Sequence, residues 1–298
     1  YWRVDEANAP PDATIVKGNV WSFTVEPYAY TIRPAAVTAS SMQAGMSPEK
    51  TIDGSGLTGD RHGVEPSTMW LSAGVPPNWI QYEFDQVYKL HELLVWNSNQ
   101  LIESFLGFGA KNVRVETSAD GTTWTAVANV PEFARAPGAA GYAANTTVNL
   151  GGVSAKYVKL TIESSWGSLP ATGLSEVRFS YAPVYARLPQ PASGATGVSV
   201  EADLHWRPGR EAASHTVYLG TSREAVANDT APAQSVTGTG YDPGSLDFGT
   251  TYYWKVNEVN AVTYPGPVWS FTTTEYAVVE DFERSEERRV GKECTIQC

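Results

Sequence analysis

Trp96–Asn97–Ser98–Asn99–Gln100 sets an indole beside a run of amide and hydroxyl side chains, and Ser164–Ser165–Trp166–Gly167–Ser168 sets another among serine hydroxyls in a glycine-containing loop. Such a set suits a polyhydroxylated ring, whose C–H face rests on an aromatic surface while its hydroxyls exchange hydrogen bonds with amides. Asn97, Asn99, Gln100 and Trp166 are the residues this chemistry selects. Asp60, Arg61 and His62 add polarity from another loop, and Arg61 and His62 join the candidates. Trp96 reads equally well as core, and a lone His62 as a solvated side chain. Reaction chemistry finds no comparable pattern. The four histidines, His62, His91, His205 and His215, have no HExxH or other metal-ligand spacing, and no GxSxG elbow is present. Gly54–Gly59 fits GxGxxG, but a phosphate cradle needs a helix directly afterwards, and Asp60–Pro66 is turn-like and ends in proline. No catalytic residue and no nucleotide cofactor are predicted. Phe105–Leu106–Gly107–Phe108 is apolar, with Glu103 and Lys111 as its nearest charges. Without a basic flank it is expected to be buried between strands and not to enter an anionic membrane.

The elements that must position these residues are strands. Ile80, Tyr82 and Phe84 alternate with polar neighbours, as do Val113 and Val115, Val158, Leu160 and Ile162, and Val177, Phe179 and Tyr181. Period two is what a sheet with one buried face requires. Asp120–Gly121 is a hairpin signal, Gly151–Gly152 separates two later strands, and no long amphipathic helix is legible. The fold class is all-β, built of sandwiches. A formal charge of −11 leaves no basic stripe for a nucleic acid or for anionic lipid, and 42% hydrophobic residues suffice for packed cores. YWRVDEAN at Tyr1–Asn8 returns as YWKVNEVN at Tyr253–Asn260, and VWSFT at Val20–Thr24 returns at Val268–Thr272. The repeat implies a string of modules. Residues 1–26 are expected to be the last strands of one module and to be poorly anchored, because an isolated hairpin is marginal in water. Residues 35–182 form a long block of strands, and 184–275 a complete module. Residues 276–298 open a further domain at Val278–Glu283 and then run into Arg284–Cys294, which looks like translated sequencing adapter. Both cysteines, Cys294 and Cys298, fall in that ending, so no structural disulfide is expected.

Residues 184–275 resemble a fibronectin type III domain through Trp206, the strand Val217–Gly220 and the run Leu246–Val256. The resemblance implies that Trp206, Tyr252, Trp254 and Val256 are core, that the Tyr252 hydroxyl ties a loop, and that the module is a spacer. Residues 35–182 resemble a discoidin domain, also called a coagulation factor 5/8 type C domain. The motifs are Thr51–Gly54, Thr68–Trp70, Trp79–Phe84, Val113–Trp124, Lys156–Ile162 and Gly173–Phe179, in that order. The family has a jelly-roll-like sandwich whose first and last strands lie side by side, and its bacterial relatives include family-32 carbohydrate-binding modules attached to secreted enzymes. The resemblance further implies a structural calcium ion held by Asp53, Thr68 and Glu176, with Lys50 and Ser55 giving carbonyls. Oxygen-only ligands suit that ion. The alternative is an ordinary Asx turn at Asp53 and a solvent-facing Glu176. Thirteen residues between Gly54 and Thr68 exceed what most relatives carry. The expected role is non-catalytic glycan binding by a secreted or surface multidomain bacterial protein whose neighbouring domains lie outside this chain. The alternatives are an architectural or protein-adhesion segment, or an ancillary part of a glycan-acting hydrolase.

Overall fold

The computed structural model describes residues 1–75 and 77–276; the expected strand at Val278–Glu283, the adapter-like run and the two cysteines lie outside the described residues. The chain divides into two compact units, Tyr1–Pro183 and Val184–Cys298.

The first unit opens with a hairpin of β1 (Asp5–Ala7) and β2 (Ile15–Lys17) that forms a two-stranded sheet of its own. Trp2 and Trp21 pair beside it as an isolated bridge, with ring centroids 4.6 Å apart. The sandwich follows, built from β3 (Tyr30–Ile32), β4 (Ala36–Ala39), β5 (Leu57–Thr58), β6 (Arg61–His62), β7 (Trp70–Leu71), β8 (Asn78–Asn97), β9 (Val113–Ser118), β10 (Thr125–Ala126), β11 (Thr146–Ile162) and β12 (Gly173–Tyr181). Its strand order is β10-β9-β11-β8-β12-β3, with β4 on β8 and β7 on β12, while β5 and β6 pair separately. The two long strands hold the layers together. Ile80, Tyr82 and Phe84 from the first half of β8 share one core with Leu90, Leu93 and Val95 from its second half, so the sheet folds over on itself. Register shifts in β11 between Asn149 and Val153 and between Ala155 and Tyr157 provide the bends. The first and last strands of the sandwich, β3 and β12, lie edge to edge, with Tyr30 opposite Tyr181 and Ile32 opposite Phe179. Asp120 makes the hairpin between β9 and β10 by accepting the amides of Thr122 and Thr123. These bonds hold its carboxyl below the usual range.

The second unit has β13 (Arg187–Gln190), β14 (Ala195–Val198), β15 (Leu204–Arg207), β16 (Ser214–Gly220), β17 (Ala233–Val236), β18 (Gly240–Tyr241), β19 (Thr251–Val259), β20 (Thr263–Tyr264) and β21 (Trp269–Thr273). They form a three-stranded sheet, β13-β15-β18, and a six-stranded sheet, β14-β21-β19-β16-β17 with β20 on β19. Trp206, Tyr252, Trp254 and Val256 are buried together, and the Tyr252 hydroxyl accepts the Asp247 amide at 3.1 Å. Trp254 faces Trp269 in the same pairing that Trp2 and Trp21 make. The outcome differs, because Trp254 is 0% exposed and Trp2 is 50% exposed. The hairpin repeats the register of the module without the strands that cover its apolar face.

Candidate functional site

The amides that sequence chemistry assigns to a ligand are used inside the protein. The Asn97 side-chain amide donates to the carbonyls of Ala110 (2.7 Å) and Ala134 (2.9 Å), and its oxygen accepts the Ser98 amide. Asn99 donates to Gly63 (2.9 Å) and Ala139 (2.8 Å) and accepts from Gly138. Both are fully buried, as is His62, and Gln100 is nearly so. His62 Nδ1 lies 3.0 Å from the Gly63 carbonyl, and Nε2 is buried with no partner among the described residues. Asn97 and Asn99 are therefore loop staples and not sugar contacts, because loop carbonyls need donors and these two amides supply them. Gln100 and His62 are turned inward as well, Gln100 with its Nε2 buried and unpartnered among the described residues. His62 is not solvated either. Arg61 stays exposed and donates to the Gly141 carbonyl at 3.1 Å. Trp96 is core, donating through Nε1 to the Asp60 carbonyl at 3.3 Å. Trp166 is half-buried, with Nε1 on the Phe133 carbonyl at 2.9 Å and Lys111 Nζ 4.6 Å from its ring centroid.

A different residue occupies the loop end. Phe105, expected to be buried, is 86% exposed, while Phe108 is buried against Met46, Met69 and Leu71. Phe105 lies on the single turn α1 (Glu103–Leu106), and Phe108 follows its C-cap, Gly107. Glu103 points inward, where its Oε1 accepts the Gly109 amide at 2.8 Å, and burial raises its pKa against that bond. Arg135 Nη2 donates to the Glu103 carbonyl at 2.5 Å. Gly107 ends the turn at φ +64, and a Cβ there would meet the Gly167 amide nitrogen at 2.5 Å, so the loop bearing Trp166 packs directly on it. The result is a pinned turn that presents Phe105 to solvent, flanked by exposed Leu101, Ile102 and Leu106.

The acidic candidates lie elsewhere in the sandwich. The short 3-10 turn Pro48–Thr51 packs on β12, and Gly54 at φ +76 reverses the chain. Asp53 Oδ1 accepts the Ser55 amide at 2.7 Å and also the Ser55 hydroxyl, while Lys50 Nζ stands 3.5 Å from Oδ2. Burial alone would raise the Asp53 pKa, but the Ser55 bonds and the Lys50 charge outweigh it and hold the group low. Asp53 thus does make an Asx turn. Glu176 is not solvent-facing: it is 4% exposed, and its Oε2 has no hydrogen-bond partner among the described residues. Desolvation pushes its pKa up to about 8, opposed by the Arg178 charge and the Gly54 amide and reinforced by Asp53. Thr68 Oγ1 donates to the Glu65 carbonyl, and it stands 2.6 Å from where a Gly56 Cβ would be. A buried unpartnered carboxylate oxygen beside a second carboxylate fits a hard cation. Among the described residues no group of three or more His, Cys, Asp or Glu side chains converges, so most further ligands would be hydroxyl or carbonyl oxygens. Gly54–Gly59 contains β5 and begins the turn of the β5–β6 hairpin, and β6 follows it in place of a helix.

Residues 36–177 match the family model of the F5/8 type C domain. No curated protein matches the chain. Among solved structures, the CBM32 of AlyQ in complex with 4,5-unsaturated mannuronic acid is 18% identical, covering 50% of this chain and 97% of that one, with a TM-score of 0.37. CBM32-3 from a family 31 glycoside hydrolase of Clostridium perfringens is 21% identical, covering 52% and 91%, with a TM-score of 0.37. The family 32 CBM of C. perfringens NanJ in complex with galactose is 15% identical, covering 51% and 98%, with a TM-score of 0.37.

Proposed function

We propose that the F5/8 type C domain at residues 36–177 is a non-catalytic carbohydrate-binding module whose recognition surface is the loop end around Phe105. The carrying observation is the ring of Phe105, held in solvent by a turn that Glu103, Arg135 and Gly107 fix from below. A rigid exposed aromatic offers the C–H face of a sugar a platform at little cost in side-chain entropy. Trp166 and Lys111 stand on adjoining loops. The family match at residues 36–177 supports the reading. Glu176 and Asp53, with the Thr68 oxygen and the Lys50 and Ser55 carbonyls, would hold a structural calcium ion. That ion would supply positive charge to the buried Glu176 Oε2, which has no hydrogen-bond partner among the described residues. The fibronectin-like module at 184–275 serves as a spacer, and the chain works outside the cell, where repeated weak sites gain avidity. No helix among the described residues is long and apolar enough to cross a membrane.

Affinity electrophoresis of the chain through polysaccharide gels tests the reading, with Phe105→Ala beside wild type. Retardation by at least one polysaccharide, lost in Phe105→Ala without a change in melting temperature, is the expected result. Equal retardation of both proteins would show that Phe105 is not the platform, and no retardation on plant, algal or mucin glycans would overturn sugar binding. The exposed aliphatic neighbours Leu101, Ile102 and Leu106 favour a second reading, a protein-adhesion surface at the same loops.

A further inference from the structure

The segment between Gly54 and Thr68 builds a wall on the outer face of the sheet. There a groove of about 300 Å³ is bounded by Thr31, Asp60, Trp96, Ala144, Arg178 and Ser180. Three of these residues fix one another. Arg178 lies over the Trp96 ring at 4.9 Å from its centroid and pairs with Asp60 Oδ1 at 2.5 Å. The Asp60 carbonyl accepts the Trp96 indole. Asp60 nevertheless keeps a side chain 80% exposed, and that of Arg178 is 33% exposed. The groove thus carries a pre-set donor and acceptor of opposite charge, the Thr31 hydroxyl, the apolar Ala144 and Ser180, whose hydroxyl is bonded to the Glu92 backbone.

Resting on the carbohydrate-binding reading above, we propose that this groove is a second sugar subsite, separate from the Phe105 loops and selective for a neutral pyranose. A vicinal diol can donate to the Asp60 carboxylate and accept from the Arg178 guanidinium at once, which matches the fixed pair. Asp60 offsets the Arg178 charge, so a uronic acid or sulfated sugar would bring a second anion against an already paired guanidinium and is disfavoured. The volume sits at the small end of ligand sites and suits a single ring.

Saturation-transfer NMR on the full chain tests it, with galactose, glucose, mannose and glucuronic acid as probes. In Phe105→Ala the groove is the remaining site, and transfer to a neutral hexose is expected to persist. Adding Asp60→Ala, or Thr31→Trp to fill the groove, should weaken it about tenfold, the loss of one charged hydrogen bond or of access. Asp60→Ala alters an exposed side chain, and matched melting curves for it exclude unfolding. Transfer abolished by Phe105→Ala alone, or unchanged by both groove variants, overturns the subsite and leaves sugar binding standing. Preference for glucuronic acid in the Phe105→Ala background overturns the assigned class. No transfer from wild type to any probe overturns the underlying reading as well.

Discussion

Glu176→Gln should stabilise the protein when no cation is present, the reverse of the usual effect of altering a buried charge. Burial pushes the carboxyl up to about 8 from its ordinary value of 4.5. An acid whose folded pKa is raised binds its proton more tightly in the folded state. Its contribution is neutral below the unfolded value and becomes a growing penalty as pH climbs from there to the folded value. At about 1.4 kcal/mol per pH unit, the interval from 4.5 to 7 amounts to about 3 kcal/mol. In a sandwich of this size that is on the order of 8 °C in melting temperature. With chelator, the wild-type transition of the first unit should therefore fall between pH 5 and 8, while Glu176→Gln stays nearly level and melts higher at pH 7. With millimolar calcium the order should reverse, because the cation stabilises only the carboxylate. Circular dichroism melts at four pH values, with EGTA and with calcium, provide the measurement. A wild-type midpoint indifferent to pH in chelator would refute the burial argument. A midpoint indifferent to calcium at pH 7 would refute the metal.

Asn99→Ala removes the partner of three loop groups, at Gly63, Ala139 and Gly138, and should cost about 3 kcal/mol in urea unfolding of the first unit. A loss under about 1 kcal/mol would mean that water replaces the amide freely. In the second unit, His215 Nδ1 meets Glu258 Oε2 at 2.5 Å with both side chains buried. Burial raises the Glu258 pKa, with the Gly209 amide and His215 opposing it. His215→Ala takes the partner from Glu258 Oε2, leaving Oε1 on the Gly209 amide, and should lower stability by about 3 kcal/mol at neutral pH. The unfolding transition of the second unit, followed by urea denaturation, should move to lower urea; an unchanged midpoint would refute the buried pair.

Strands were legible because the code for a half-buried sheet is local. Ile80–Phe84 and Val177–Tyr181 alternate as the sandwich uses them, and Asp120 turns the chain as its sequence implies. The site residues were not legible for the opposite reason. An asparagine that holds a sugar and one that staples a loop are the same residue, and what separates them is whether distant carbonyls such as Ala110, Ala134 and Ala139 arrive to meet it. Phe105 misled in the other direction. An apolar tetrapeptide reads as core, yet one helical turn suffices to send Phe108 inward and Phe105 out. Glu176 does sit on the outward face of β12, as alternation requires, but the turn at Pro48–Gly54 covers it, and nothing near Glu176 in sequence announces that cover.

The pairing of Tyr30 with Tyr181 fixes how the sandwich would respond to traction. Polypeptide enters and leaves it at two points separated by about 5 Å, the spacing of facing residues in an antiparallel ladder. A pull on the flanking chain would load the β3–β12 rungs one after another from that end, as a zip opens. Until the first rung yields, the rest of the domain hangs as a pendant beside the line of force and adds almost nothing to the tether's length.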